Sequence, residues 1–137
     1  MNPGTGNSAG YTKCAFTDAD DVLGDYPGEM RFLTGPLQSE QVAVTYRRMP
    51  AGTGGKGSYG HRHRTQEEVY VVTSGVLVFK LGDEIVEVPA GHAIRVAPEV
   101  ARSVWNDGPL DAELLIVSTT IEDLRADIET VPDFWPE

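Results

Sequence analysis

His61, His63 and Glu68 are the residues of this chain best placed to do chemistry, standing in the spacing Gly55-x5-His61-x-His63-x4-Glu68-x6-Gly75. Successive side chains of a β-strand point to opposite faces, so His61 and His63 project one way and Arg62 and Arg64 the other. A turn around Thr65-Gln66, followed by the β-rich run Val69-Tyr70-Val71-Val72, brings Glu68 back beside the two histidines from the next strand. Two imidazoles and a carboxylate that converge form a ligand set for catalytic zinc with an open position, or for non-haem iron in a facial arrangement.

The same spacing is identified as the first motif of the cupin family, matched at each defined position. The second cupin motif, G-x5-P-x-G-x2-H-x3-N, falls on the segment from Gly91 to Asn106. Gly91 and Asn106 match it, whereas Ala97 replaces the proline, Glu99 the second glycine and Arg102 the histidine that completes the family's metal site. The resemblance covers roughly residues 30 to 119 and is nearest in character to small, single-domain bacterial cupins. It implies an all-β fold, a single-domain jelly-roll β-barrel, with a small-molecule ligand or substrate in the barrel. It also implies a divalent metal (Fe, Mn, Ni, Cu or Zn) on His61, His63 and Glu68, no organic cofactor, and a homodimer formed through the outer sheets.

Arg102 changes what that site can do. A guanidinium has no acceptor and stays protonated, so Arg102 cannot be a fourth ligand. Close to Glu68, its charge disfavours a divalent cation and favours neutral histidines. Three readings follow: a three-ligand metal site with Arg102 gripping a substrate carboxylate or phosphate, a metal-free pocket organised by a Glu68–Arg102 pair, and a purely structural cluster.

Parity assigns the neighbours. Tyr70 and Val72 share a face with Glu68, and Val104 with Arg102, so these three are expected to line the pocket. Trp105 then packs outside. Glu67 faces away from Glu68 into solvent, His92 lies in a turn at the surface, and Arg62 and Arg64 are outward charges that keep an edge from pairing with other chains.

The 137 residues suffice for one domain with a sizeable core. A formal charge of −10, with the eleven basic residues scattered, argues against nucleic acid and against acidic membranes. The single Cys14 excludes an internal disulfide framework and suits a reducing compartment. The first ten residues are small and polar, reading as neither a signal peptide nor a membrane span, and a cytoplasmic location is the expectation.

Residues 1–12 read as a flexible tail and 13–137 as the cupin domain. Strand-like runs are expected at Arg31–Thr34, Gln41–Arg48, Val76–Leu81, Glu84–Val88, Ala93–Val96, Ala101–Trp105 and Ala112–Thr119; with the two motif strands they total about eight or nine. Such close spacing predicts a sandwich or barrel. Pro50–Gly60, with five glycines, reads as a flexible connection before the histidines. Thr120 with Asp123, and Ile121, Leu124 and Ile128, predict a short helix over 121–129. The apolar tail Val131–Pro136 must then dock onto the barrel or across a partner subunit.

Two functions compete: an enzyme acting on a small organic molecule through a metal on His61, His63 and Glu68, as an oxygenase or isomerase, and a metal-free cupin. The second is either a binding or sensor barrel, or an acid–base isomerase with His61 or His63 as general base and Arg102 as anion clamp.

Overall fold

In a computed structural model describing residues 10–137, ten strands form two five-stranded antiparallel sheets. The strands are β1 (Glu29–Phe32), β2 (Val42–Met49), β3 (Ser58–His63), β4 (Glu68–Ser74), β5 (Val76–Leu81), β6 (Glu84–Pro89), β7 (His92–Val96), β8 (Arg102–Trp105), β9 (Ala112–Thr119) and β10 (Ile128–Trp135). One sheet runs β1-β2-β9-β4-β7 and the other β10-β3-β8-β5-β6. This is the expected jelly-roll. Most of the expected tail over 1–12 falls outside the described residues. Among the described residues, no helix is long and apolar enough to cross a membrane.

Hydrophobic alternation decides which face of each strand turns inward. Met49, Tyr70, Val72, Leu77, Phe79, Val88, Val96, Val104, Ala112 and Leu114 interlock between the sheets as the main core. The β5–β6 hairpin closes tightly, pairing Leu81 with Glu84, because Gly82 accepts the positive φ of 58° that a two-residue turn demands. Outside the first sheet, Ala19, Leu33 and Tyr46 form a smaller cluster with Leu37, Val44 and Leu115, and Phe16 stacks on Tyr46 at 4.5 Å. The inward face of β2, undecided by its alternation alone, is therefore the one bearing Arg47 and Met49.

The C-terminal segment departs from expectation. The helix shrinks to a single turn, α2 (Leu124–Asp127), following a short α1 (Thr34–Leu37) earlier in the chain. Asp123 caps α2 by accepting from the Ala126 N–H, whereas the Thr120 hydroxyl donates to the Glu40 carbonyl. Isolated helix of this length is marginal, and a β-branched, apolar tail gains more by pairing with an open edge. Residues 128–135 accordingly add to β3 as β10, with Ile128 opposite His63 and Thr130 opposite His61. The pairing shifts between Val131 and Trp135, where Pro132 lacks a donor and Asp133 takes a φ of 53°. Gly60 permits the close approach: a Cβ there would lie 2.7 Å from the Arg102 carbonyl oxygen and against the Phe134 ring.

Arg62 consequently does not guard a free edge. It points outward across the covered β3–β10 pair to Glu129, at 3.8 Å. Outward arginines elsewhere also find carboxylates: Glu29 accepts from both Arg31 and Arg48 at 2.8 Å. These two, Arg48 foremost, hold the Glu29 carboxyl below its ordinary range. A depressed folded-state pKa means stability that is present above the unfolded-state value and lost as pH falls through the folded one. Glu29→Gln should therefore be less stable than the parent at pH 7 by about 1 kcal/mol. Urea titrations should show that gap closing as the pH falls below the ordinary glutamate value of 4.5.

Candidate metal centre

The residues singled out by spacing do converge at one end of the barrel. β3 and β4 lie in different sheets, and the Thr65-Gln66 turn between them folds Glu68 back against His61 and His63. Glu68 Oε1 lies 3.5 Å from His61 Nε2 and 3.5 Å from His63 Nε2. One ligand atom from each of the three lies within 4.8 Å of the others. The two rings stand edge to face, with centroids 5.1 Å apart. His63 is buried at 3% exposure, whereas the His61 side chain is 30% exposed and forms the open side of the cluster.

His63 is held from behind by Asp127, a residue that sequence reasoning missed. Its Nδ1 lies 3.0 Å from Asp127 Oδ2. The same carboxylate accepts from the Thr65 N–H at 2.8 Å, the Thr65 hydroxyl at 2.6 Å and the Gln66 N–H at 3.2 Å. Burial works to raise the Asp127 pKa, but the Thr65 and Gln66 donors and the His63 contact outweigh it and keep the group ionised. With a carboxylate at Nδ1, the hydrogen-bond network assigns the ring proton there and leaves a lone pair on Nε2. Burial, the dominant influence, pushes the His63 pKa down, so the ring stays neutral.

The contacts of Glu68 gather on one of its two carboxylate oxygens, Oε1. The Tyr70 hydroxyl donates to it at 2.7 Å, and Arg102 Nε lies 3.6 Å away. Burial alone would raise the Glu68 pKa; His61, Tyr70 and the charge of Arg102 reverse that and keep it below the ordinary range. Tyr70 is in turn pushed well above the ordinary phenol value by burial and by Glu68, so it serves as a fixed donor. Its ring packs edge-on against Phe79 at 5.1 Å, connecting the cluster to the core. Val72 and Val104, expected to line the pocket, fill that core beneath the cluster.

Arg102 lies opposite His61 in the β3–β8 pair and is almost completely buried. The bidentate grip on a substrate anion that its sequence position allowed is taken up by the chain itself. Its terminal nitrogens donate to the carbonyls of Ala97 at 3.1 Å, Pro98 at 3.3 Å and Val96 at 3.4 Å, leaving Nε toward Glu68. Asn106, the retained residue of the second motif, is structural: its amide ties the Met49 and Leu110 carbonyls at 2.8 Å each. The glycine-rich connection is tied down as well. Gly55 N–H bonds the Val104 carbonyl and Gly52 N–H the Asn106 carbonyl, at 2.9 Å each. Glu67 and His92 are on the surface as expected, Glu67 paired with Arg95.

The donor set fits a divalent metal on one physical ground. His63 Nε2 is buried without any hydrogen-bond partner among the described residues and directs a lone pair toward the acceptor oxygen of Glu68. Two acceptors facing each other at 3.5 Å repel unless a positive species lies between them. Metal-binding histidines commonly donate their other N–H to a carboxylate, as His63 does to Asp127. In metal-free protein, nitrogen NMR should show His63 protonated at Nδ1 and bare at Nε2. Asp127→Asn should weaken that preference and lower the urea midpoint, because each buried donor left without an acceptor costs about 1–3 kcal/mol.

Known proteins agree with this architecture. No protein of curated function matches the sequence. Among solved structures, a sugar phosphate isomerase of the cupin superfamily from Silicibacter pomeroyi superposes with a TM-score of 0.67 at 18% identity, over 88% of this chain and 92% of that one. A cupin protein from Bacteroides fragilis gives 0.65 at 23% identity, over 84% and 88%. A predicted oxalate decarboxylase from Thermotoga maritima gives 0.64 at 20% identity, over 80% and 100%. In two further cupin-fold structures the match spans 64% and 58% of the other chain. These likenesses show the fold. The family described as Cupin domain matches residues 47–118, from the inward Arg47 of β2 to Ser118 within β9, and the chain belongs to that family.

Proposed function

We propose that this cupin is an enzyme acting on a small organic molecule at the open end of the barrel, with His61, His63 and Glu68 holding a divalent metal. The observation that carries this reading is the unpartnered, buried Nε2 of His63, aimed at Glu68 while Asp127 holds the opposite nitrogen. Iron, manganese, nickel, copper and zinc all accept two imidazoles and a carboxylate. Such an ion supplies Lewis-acid polarisation of a substrate oxygen and, where redox-active, electron transfer.

The protein's own groups do the rest. Tyr70 and Arg102 hold the Glu68 carboxylate in its ionised form, and Asp127 fixes the direction in which His63 presents its lone pair. His61, the partly exposed member, stands where a molecule entering the barrel meets the cluster. Arg102 places a fixed positive charge where the second cupin motif carries a histidine, which reduces the charge that the cluster needs from an ion. That substitution favours a second reading: a metal-free pocket in which His61 exchanges a proton with the ligand beside an ionised Glu68. Proteins of this fold named as sugar phosphate isomerase and as predicted oxalate decarboxylase support small, oxygen-rich molecules as the first substrates to screen.

Elemental analysis of protein purified without an affinity tag separates the two readings. Near-stoichiometric metal in the parent that is lost in His61→Ala is the expected result. A parent that stays metal-free after incubation with each of the five divalent ions, beside an Arg102→His variant that takes one up, would overturn the metal centre in favour of the second reading.

A further inference from the structure

Among the described residues, Arg47 is an inward-facing arginine for which no ion pair is found. The strand register puts it on the same interior face as the site. Arg47 pairs with Leu114, which pairs with Val72; one step along, Thr45 pairs with Ile116 and Ile116 with Tyr70; beyond that, Ala43 pairs with Ser118 and Ser118 with Glu68. Arg47 is thus two strands across from the row Val72-Tyr70-Glu68, about 10 Å at ordinary strand spacing, a span that a long guanidinium side chain largely bridges. It lies on the edge of the interior that β1 borders, opposite Met30.

Its neighbours show what it lacks. Arg31, Arg48, Arg62 and Arg95 each pair with a carboxylate at the surface, and Arg102 approaches Glu68. Among the described residues, none of these ion pairs involves Arg47, and its Nε is buried without a hydrogen-bond partner. Residues 1–9 contain no aspartate or glutamate that could supply one. Burial pulls its pKa down, and the groups that oppose the effect are the phenols of Tyr26, Tyr70 and Tyr59 rather than any acid. Tyr70 is the residue that holds Glu68, and Tyr59 stands on β3 at the same parity as His61 and His63, largely exposed. Arg47 is part-buried, and a guanidinium nitrogen held out of water without an acceptor is costly to keep unless an anion meets it.

We propose that Arg47 is an anion-binding subsite, taking the carboxylate or phosphate group of a small organic acid whose other end reaches the His61–His63–Glu68 cluster. The proposal rests on the reading of the barrel interior as a small-molecule site, and it narrows the substrate class to organic anions. It also separates the work of the two interior arginines. Arg102, with its terminal nitrogens taken by carbonyls and its Nε 3.6 Å from Glu68, organises the cluster; Arg47, for which the described residues supply no carboxylate, meets the ligand. A guanidinium suits either anion because its fork presents parallel N–H donors to two oxygens.

Calorimetric titration with inorganic phosphate and with succinate, using glucose as the neutral control, tests this on the parent, Arg47→Gln and Arg47→Met, with metal content measured on every sample. The expected result is that one of the two anions binds the parent and glucose does not, and that Arg47→Gln weakens binding about 10–100-fold, the loss of one charged hydrogen-bonded contact. Metal content should stay at the parent level. Which anion binds distinguishes a carboxylate from a phosphate ester. Unchanged affinity in Arg47→Gln, or a parent that binds neither anion, would overturn the subsite. A marked fall in the thermal unfolding temperature of Arg47→Met would overturn it too, by assigning Arg47 to structure. Anion binding that depends on Arg47 in protein devoid of metal would remove the metal centre and leave the subsite standing, while retained metal without any anion effect would do the reverse.

Discussion

The contact between Asp127 and His63 is the one on which the working end of the barrel depends. A neutral imidazole has two possible proton positions, and only one leaves a lone pair directed at Glu68 and His61. The Asp127 carboxylate selects it, and the same two oxygens collect the donors of the Thr65-Gln66 turn that carries Glu68 back into place. One buried acceptor therefore sets both the direction of His63 and the path of the chain between β3 and β4. Asp127 is delivered to that position by the single turn of α2 and by the addition of β10 to β3, so the C-terminal strand is part of the site's construction.

Electrostatics around Glu68 follow from the same confinement. A carboxylate taken out of water loses hydration and would protonate unless donors and charges replace it. Tyr70 and Arg102 supply that replacement on one side, and the histidines line the other. His61, His63 and Glu68 stand together with Arg102 as a neighbouring cation, and the loop before β8 encloses that cation: the carbonyls of Val96, Ala97 and Pro98 accept from the guanidinium. Arg102 is thereby a structural fixture as much as an electrostatic one. Arg47 has no comparable partners among the described residues. Both guanidinium groups keep a buried Nε without a hydrogen-bond partner, but only Arg102 has a carboxylate nearby and carbonyls on its terminal nitrogens.

The packing that supports these groups is conventional for two sheets face to face. Leu77, Phe79, Leu114 and Val72 exclude water beneath the cluster, and the Tyr70–Phe79 contact transmits that rigidity to the Glu68 carboxylate. A side chain locked by core neighbours pays little conformational entropy on binding a ligand, which is what a binding site needs of its supports.

Much of this was legible from residue order alone, because strand alternation and turn chemistry are local properties. Parity placed His61 and His63 on one face, the turn at Thr65-Gln66 brought Glu68 beside them, the bounds of β5 and β9 matched their hydrophobic runs, and the motif spacing led to the jelly-roll. Tertiary structure alone decided what local patterns do not encode. Asp127 reaches His63 across 64 positions of sequence, and nothing in its neighbourhood marks it out. The inward turn of Arg47 depends on the register of β2 against β9, since its own alternation offers two equally plausible faces. The tail became a strand because β3 presented an open edge, a fact that resides in the assembled sheet and not in residues 128–135. Arg102 was correctly placed near Glu68 but not its three carbonyl partners, whose positions follow from how the β7–β8 loop closes. Side-chain direction along a strand is written in the chain with a period of two, whereas the pairing of distant strands, and the charges left over when they have paired, exist only once the barrel has closed.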